Sequence, residues 1–405
     1  MSTFTWIDHS EKQRRQILEA IDLFREKDTR DELGIAGIRD AFSDMLFPGT
    51  GALQTRARYL LFVPWMYLDF EAKRVPSAEV ARRARDVEVK LINTLAESST
   101  PPPPGTIGIQ ARSSLQRLPS SIYWNGLKVL GISRFAGSQA EYQRSLDRVR
   151  AAVGTVRPND DGEVVGGVAR AWHAGLPTIP STFPNQANFA LGVAEARYLK
   201  SRVLENHRRS LFAFMLDRDY VDANVEFAWD HACVESAPPE LQREIKHARC
   251  FSEVMNGAAI LYNLYLAEMD PRREQVIETC NELLDDWLAL MSARRQDLLA
   301  WDRTDFWKLL EQRTYIPRGT TRPFVEEWWR RTLSDDPAKL RVAGTTKELI
   351  SGREAQIKGA LARFKNRRSR EIWMGDAGLG RQDFRWSNAR VILRDIADGL
   401  GGAHA

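Results

Sequence analysis

SAEVARRARDVEVKLINTLAE, residues 77–97, carries Val80, Ala84, Val87, Leu91 and Leu95 at intervals of three and four, the spacing that gathers apolar side chains on one stripe of an α-helix. Glu79, Asp86 and Glu88 lie within helical reach of Arg82, Arg83 and Arg85, which reads as a solvated, ion-paired face. The same period recurs on both sides. Ile17, Leu18, Ile21 and Phe24 predict a helix over 11–27; Ile38, Phe42, Met45 and Leu46 predict another that Pro48 and Gly49 end, with a third from about Ala52. Beyond Gln186, the stretches 186–204, 240–269 and 271–300 are rich in Leu, Ala, Glu and Arg with few interior breakers. Ser10 with Gln13, Ser138 with Glu141 and Thr345 with Glu348 have capping-box spacing, and Asp270-Pro271 places proline at a first helical position. Strand patterning is confined to short pieces at Ser121–Trp124, Val129–Ser133 and Val164–Val168. The expected fold is mainly α and multi-helix, with two to three packed helical domains and at most minor β elements.

Composition gives the same class. Of 405 residues, 43% are hydrophobic and 28% charged, a globular balance that excludes a disordered chain. The net charge of +4, from 58 basic and 54 acidic residues, is too small to mark the whole chain as a nucleic-acid binder, so local clusters must decide. Three cysteines, Cys233, Cys250 and Cys280, make no secreted disulfide framework. The N-terminus lacks an export pattern, and the longest apolar run, Tyr59–Leu68 with Pro64 inside it, is half the length of a membrane span. The expectation is a cytoplasmic protein with no membrane partner and that run in its core.

Breakers suggest the organisation. Residues 98–105 read SSTPPPPG, a polyproline-prone linker, and 154–185 crowd Gly166-Gly167, Pro177, Pro180 and Pro184. This predicts an N-terminal helical domain over 1–97, a proline-rich linker over 98–105, an irregular middle segment over 106–185, and a C-terminal helical domain over 186–405 with a basic, aromatic end.

That end carries the main candidate site. Arg363, Lys365, Arg367, Arg368 and Arg370 are flanked by Trp373 and continued by Arg385 and Arg390, a combination able to neutralise phosphates and stack on bases; the alternative is a solvated helix face. Gln54, Arg56 and Arg58 are a secondary candidate, either a polar helix start offered to phosphates or the exposed face of a helical core. His231 and Cys233, then His247 and Cys250 after thirteen intervening residues, supply a zinc-type ligand set at spacings unlike those of zinc sites, so buried structural cysteines are the better reading and no metal is favoured. Twelve tryptophans, with Trp301, Trp307, Trp328, Trp329, Trp373 and Trp386 near the end, read first as helix-packing core and second as stacking platforms. Phe47-Pro48-Gly49-Thr50-Gly51 lacks the Gly-Lys-Ser/Thr of a P-loop, and Gly378-Leu379-Gly380 lacks the third glycine of a dinucleotide loop. No cofactor is expected and no catalytic residue stands out.

ELGIAGIRDAFSDMLFPGT, residues 32–50, followed by QTRARYLLFVPWMY, residues 54–67, resembles the N-terminal signature of a bacterial family catalogued only as a domain of unknown function. Arg117–Leu127, Ser138-Gln139, His247–Ser252, Asn256–Leu264 and the arginine-rich C-terminal region extend the resemblance over nearly the whole chain. It implies no catalytic residue, cofactor or substrate. It does imply a setting among helicases and phospholipase-D-like nucleases in anti-phage gene clusters. The resulting expectation is a non-enzymatic accessory subunit of a bacterial anti-phage defence system that binds DNA, RNA or such a nucleic-acid-processing partner. The alternatives are a nuclease or other DNA-modifying enzyme with an unrecognised active site, and a pure protein scaffold.

Overall fold

A computed structural model of the chain describes residues 31–154, 170–218, 224–313, 315, 317, 319–333 and 337–401. Among these, fifteen α-helices run in order: α1 Ala36–Leu46, α2 Tyr59–Ala72, α3 Ser77–Glu97, α4 Pro119–Val129, α5 Gln139–Gly154, α6 Val193–His207, α7 Leu211–Asp217, α8 Pro239–Ala267, α9 Glu274–Ala293, α10 Arg295–Leu299, α11 Arg303–Gln312, α12 Thr321–Thr332, α13 Gly344–Lys358, α14 Arg367–Glu371 and α15 Trp386–Gly401. The described residues form no sheet; Ser133 and Trp172 make an isolated antiparallel bridge. The mainly α, multi-helix class is what the periodicity predicts.

Individual elements separate the readings. The segment 77–97 coincides with α3, and Ser138 with Glu141 forms a capping box at the start of α5: the Ser138 amide donates to the Glu141 carboxylate at 2.6 Å and the Ser138 hydroxyl accepts from the Glu141 amide at 3.2 Å. Asp270 accepts from the Arg272 amide ahead of a single 3-10 turn. Thr345, by contrast, lies inside α13, which begins at Gly344. Ser121–Trp124 is helical, within α4, and Val129 ends that helix. Val164–Val168, the 11–27 helix and the Ser10 cap lie outside the described residues.

The chain forms two compact units, one of Met1–Phe42 with Lys246–Gln382 and one of Ser43–Ile245 with Asp383–Ala405. These are not the four consecutive segments read from composition, and chemistry near the prolines explains the difference. Residues 103–107 are pinned to the start of α2: Thr55 donates to the Gly105 carbonyl at 2.6 Å, Arg56 to that of Pro104 at 3.3 Å, and the Ile107 amide donates to the Tyr59 hydroxyl at 3.1 Å. The run is a docked strap.

In the second unit α2 is buried at every position from Tyr59 to Tyr67, as its unbroken apolar sequence requires. Around it Tyr67, Trp124, Tyr142 and Trp172 interlock with ring centroids 5.1–6.0 Å apart, mostly edge to face, the arrangement aromatic quadrupoles favour. This cluster organises α4 and α5, so part of the 106–185 segment read as irregular is helical. In the first unit the tryptophans also build core. Trp287 and Trp328 stack at 6.1 Å, and their indole N–H groups donate at 2.8 Å to the carbonyls of Glu253 and Val254 on α8.

Candidate functional site

The basic C-terminal residues divide by unit and by role. In the first unit, Glu354 is wholly buried; it accepts a 2.6 Å hydrogen bond from the Tyr262 hydroxyl and a 3.1 Å bond from the Phe364 amide. Arg363 turns inward to the same place, paired with Glu32 at 2.6 Å and donating to Tyr262 at 3.1 Å, while Lys358 also pairs with Glu32. Arg370 donates to the Arg363 carbonyl at 2.7 Å. The Trp373 ring is buried, with its N–H on Asn263 at 3.2 Å and Arg273 above its face; it is packed core, not an open stacking platform. Asn366 caps α14 by accepting from the Ser369 amide. On this braced base Lys365, Arg367 and Arg368 are exposed, Arg367 pairing with Glu371 at 2.9 Å. Exposed Ile372 and Met374 follow.

Arg385 and Arg390 belong to the second unit. Arg385 pairs with Asp44 at 2.6 Å and donates to the Thr50 carbonyl at 2.9 Å; Arg390 donates to that of Val225 at 3.4 Å. Both serve local packing.

Gln54, Arg56 and Arg58 all turn inward, so they are not the exposed face of a helical core. Gln54 is buried, donating to the Gly49 carbonyl at 3.2 Å. Arg56 grips Asp395 of α15 through Nε and Nη2 at 2.7–3.0 Å and lies 4.6 Å from the Phe189 ring centroid. Arg58, at the head of α2, gives both Nη1 hydrogens to Asn188, at 3.0 Å on its carbonyl and 2.7 Å on its side chain, and pairs through Nη2 with Glu195 at 2.9 Å.

Arg58 also lines a cavity of about 510 Å³ that the sequence reading missed. Its walls come from the first turns of α2, the C-terminal turn of α3 and the loop 180–188. The loop is held by Trp65, whose N–H donates to the Pro177 carbonyl at 2.8 Å, and by Phe183, which stacks on Phe62 at 5.6 Å and meets Trp65 edge-on at 5.7 Å. The signal in the sequence was thin: an arginine opening an apolar helix, and aromatics in a loop a hundred residues away.

The zinc-type set does not assemble. His231 and Cys233 belong to the second unit, His247 and Cys250 to the first. His231 accepts from the Cys233 amide at 3.0 Å. His247 accepts at Nδ1 from the Trp301 N–H at 2.9 Å, which places its proton on Nε2, 3.0 Å from Asp305. Both imidazole nitrogens are thus occupied. All three cysteines are buried free thiols whose pKa burial pushes up to about 11, which suppresses the thiolate needed for ligation or attack. Among the described residues no group of three or more His, Cys, Asp or Glu is placed to hold a metal ion. No helix among them is long and apolar enough to cross a membrane.

No curated protein and no solved structure matches the chain. One family model does, over residues 1–400, which agrees with the resemblance read from the motifs. The chain belongs to the family of unknown function DUF6361.

Proposed function

We propose that this protein is a non-catalytic, nucleic-acid-binding component of an anti-phage assembly that also contains helicase or phospholipase-D-like nuclease subunits. The observation that supports it is the division of labour around α14. Arg363, Arg370 and Trp373 anchor the segment, and Lys365, Arg367 and Arg368 stand exposed on it. Three cations held on a fixed base suit a phosphate backbone, whose binding is driven by counterion release and so weakens as salt rises.

The test is binding of fluorescently labelled DNA and RNA, single- and double-stranded, over a salt series. Replacing Lys365, Arg367 and Arg368 together by alanine leaves the buried contacts intact. It should weaken binding at low salt and flatten the slope of log K against log salt on duplex DNA by about 3. An unchanged affinity and slope refutes the assignment. In a host carrying the full gene cluster, the same variant should lower protection in a phage plating assay.

A further inference from the structure

The cavity at Arg58 lies wholly in the second unit and has no part in the α14 proposal. Its volume of about 510 Å³ falls in the ~300–1,000 Å³ range of small-molecule sites. Its chemistry has three parts. The first is an unused half of a guanidinium. With both Nη1 hydrogens on Asn188 and one Nη2 hydrogen on Glu195, Arg58 keeps one Nη2 hydrogen and its Nε hydrogen, and the Nε is buried with no acceptor. A guanidinium presents its donors as a planar set suited to the oxygens of a phosphate or carboxylate. A buried donor left without a partner costs roughly 1–3 kcal/mol, which an anionic ligand there would recover.

The second part is a flat apolar plate. Phe183 is half-buried, stacked on the buried Phe62 and braced by the buried Trp65, so it offers a fixed ring to a planar ligand. The third is a polar rim of opposite sign. Glu97 and Ser98 stand exposed at the end of α3, where the last carbonyls of the helix add negative potential, and Asn185 and Gln186 supply amides. Glu97 and the carbonyl end favour amine and hydroxyl donors.

We infer that this cavity binds a nucleoside monophosphate, its phosphate at the remaining donors of Arg58, its base against Phe183 and its donor groups toward Glu97. The ligand is either a free nucleotide or the 5′-phosphorylated end of a strand, since both present the same unit.

Calorimetric titration of the full chain with adenosine 5′-monophosphate tests it, with adenosine and inorganic phosphate as partial ligands. The monophosphate should bind at least tenfold more tightly than either. Arg58→Lys, which keeps the charge and loses the planar donor set, should weaken it tenfold or more. Gln186→Trp, a filling substitution at an exposed loop position that does not disturb the core, should do the same and carries the test should the Arg58 variant misfold. Competition by a 5′-phosphorylated oligonucleotide, but not its unphosphorylated form, assigns the site to strand ends; no competition from either assigns it to free nucleotide. The α14 triple variant should bind the monophosphate as the natural chain does, which separates this result from that of the polynucleotide assay. The inference is overturned by no detectable binding of the monophosphate, by inorganic phosphate binding as well as it does, or by affinity that both cavity variants leave unchanged.

Discussion

Glu88 illustrates how far a single side chain can depart from its sequence context. Its neighbours in α3 suggest a solvated face, yet it is 2% exposed and accepts from the Ser120 amide at 2.6 Å and the Ser120 hydroxyl at 2.8 Å. Ser120 in turn accepts from Gln139, which also donates to Tyr67. Burial raises the Glu88 pKa from 4.5 to about 7, with the Ser120 hydrogen bonds opposing the shift. The folded protein therefore holds a proton that the unfolded chain releases near pH 4.5. Between those values stability falls as pH rises, on the order of 3 kcal/mol across the window. Glu88→Gln, neutral at every pH, should gain stability relative to the natural chain as pH goes from 5 to 8. Melting temperatures of both proteins across that range check it, and a constant difference would show that Glu88 is ionised throughout. The burial of Glu88 was not legible in advance, and of Arg58 only its candidacy was, because the groups that pack on them, Ser120 and Asn188, arrive from other segments of the chain.

Helices were legible in proportion to their amphipathicity. α3 alternates apolar and charged faces and was read directly; α4, PSSIYWNGLKV, mixes strand-favouring Ile, Tyr and Trp with Ser, Asn and Gly, and its helical state is imposed by the ring cluster it packs into. Glycines give a sharper test at this scale. A Cβ on Gly257 of α8 would lie 2.3 Å from the Trp287 indole, whereas one on the exposed Gly352 of α13 would meet nothing within 4 Å. Gly257→Ala should therefore destabilise by about 1–3 kcal/mol through overpacking. Gly352→Ala should stabilise by about 0.5–1 kcal/mol through lost backbone entropy in the unfolded chain. Chemical denaturation of the two variants measures both, and a Gly257→Ala variant as stable as the natural chain would contradict the α8–α9 packing described above.

At the scale of the molecule, both units are discontinuous, which no reading of consecutive composition could reveal: proline and glycine mark bends, whereas two of the three passages of the chain between units fall inside α1 and α8 and only the third, after Gln382, falls in a loop. The second unit is completed by α15, which packs on α6 and α7 and buries Trp386, Ile392, Leu393 and Ile396. At roughly 1.5–3 kcal/mol for each such side chain, their loss rivals the ~5–15 kcal/mol that holds a typical domain folded. A chain stopped at Gln382 should lose the cooperative melting of residues 43–245 or accumulate insoluble, as expression and circular dichroism would reveal; a soluble product melting like the full chain would contradict this account. Arg56 and Asp395, bonded across 339 positions of sequence, also set a clock. At the ~5–20 residues per second of protein synthesis, the ribosome releases the carboxylate about 15–70 seconds after the guanidinium. For that interval the nascent second unit carries an unmatched cation and an uncovered apolar face, so its folding waits on the synthesis of α15, and that waiting surface is the one a chaperone would meet.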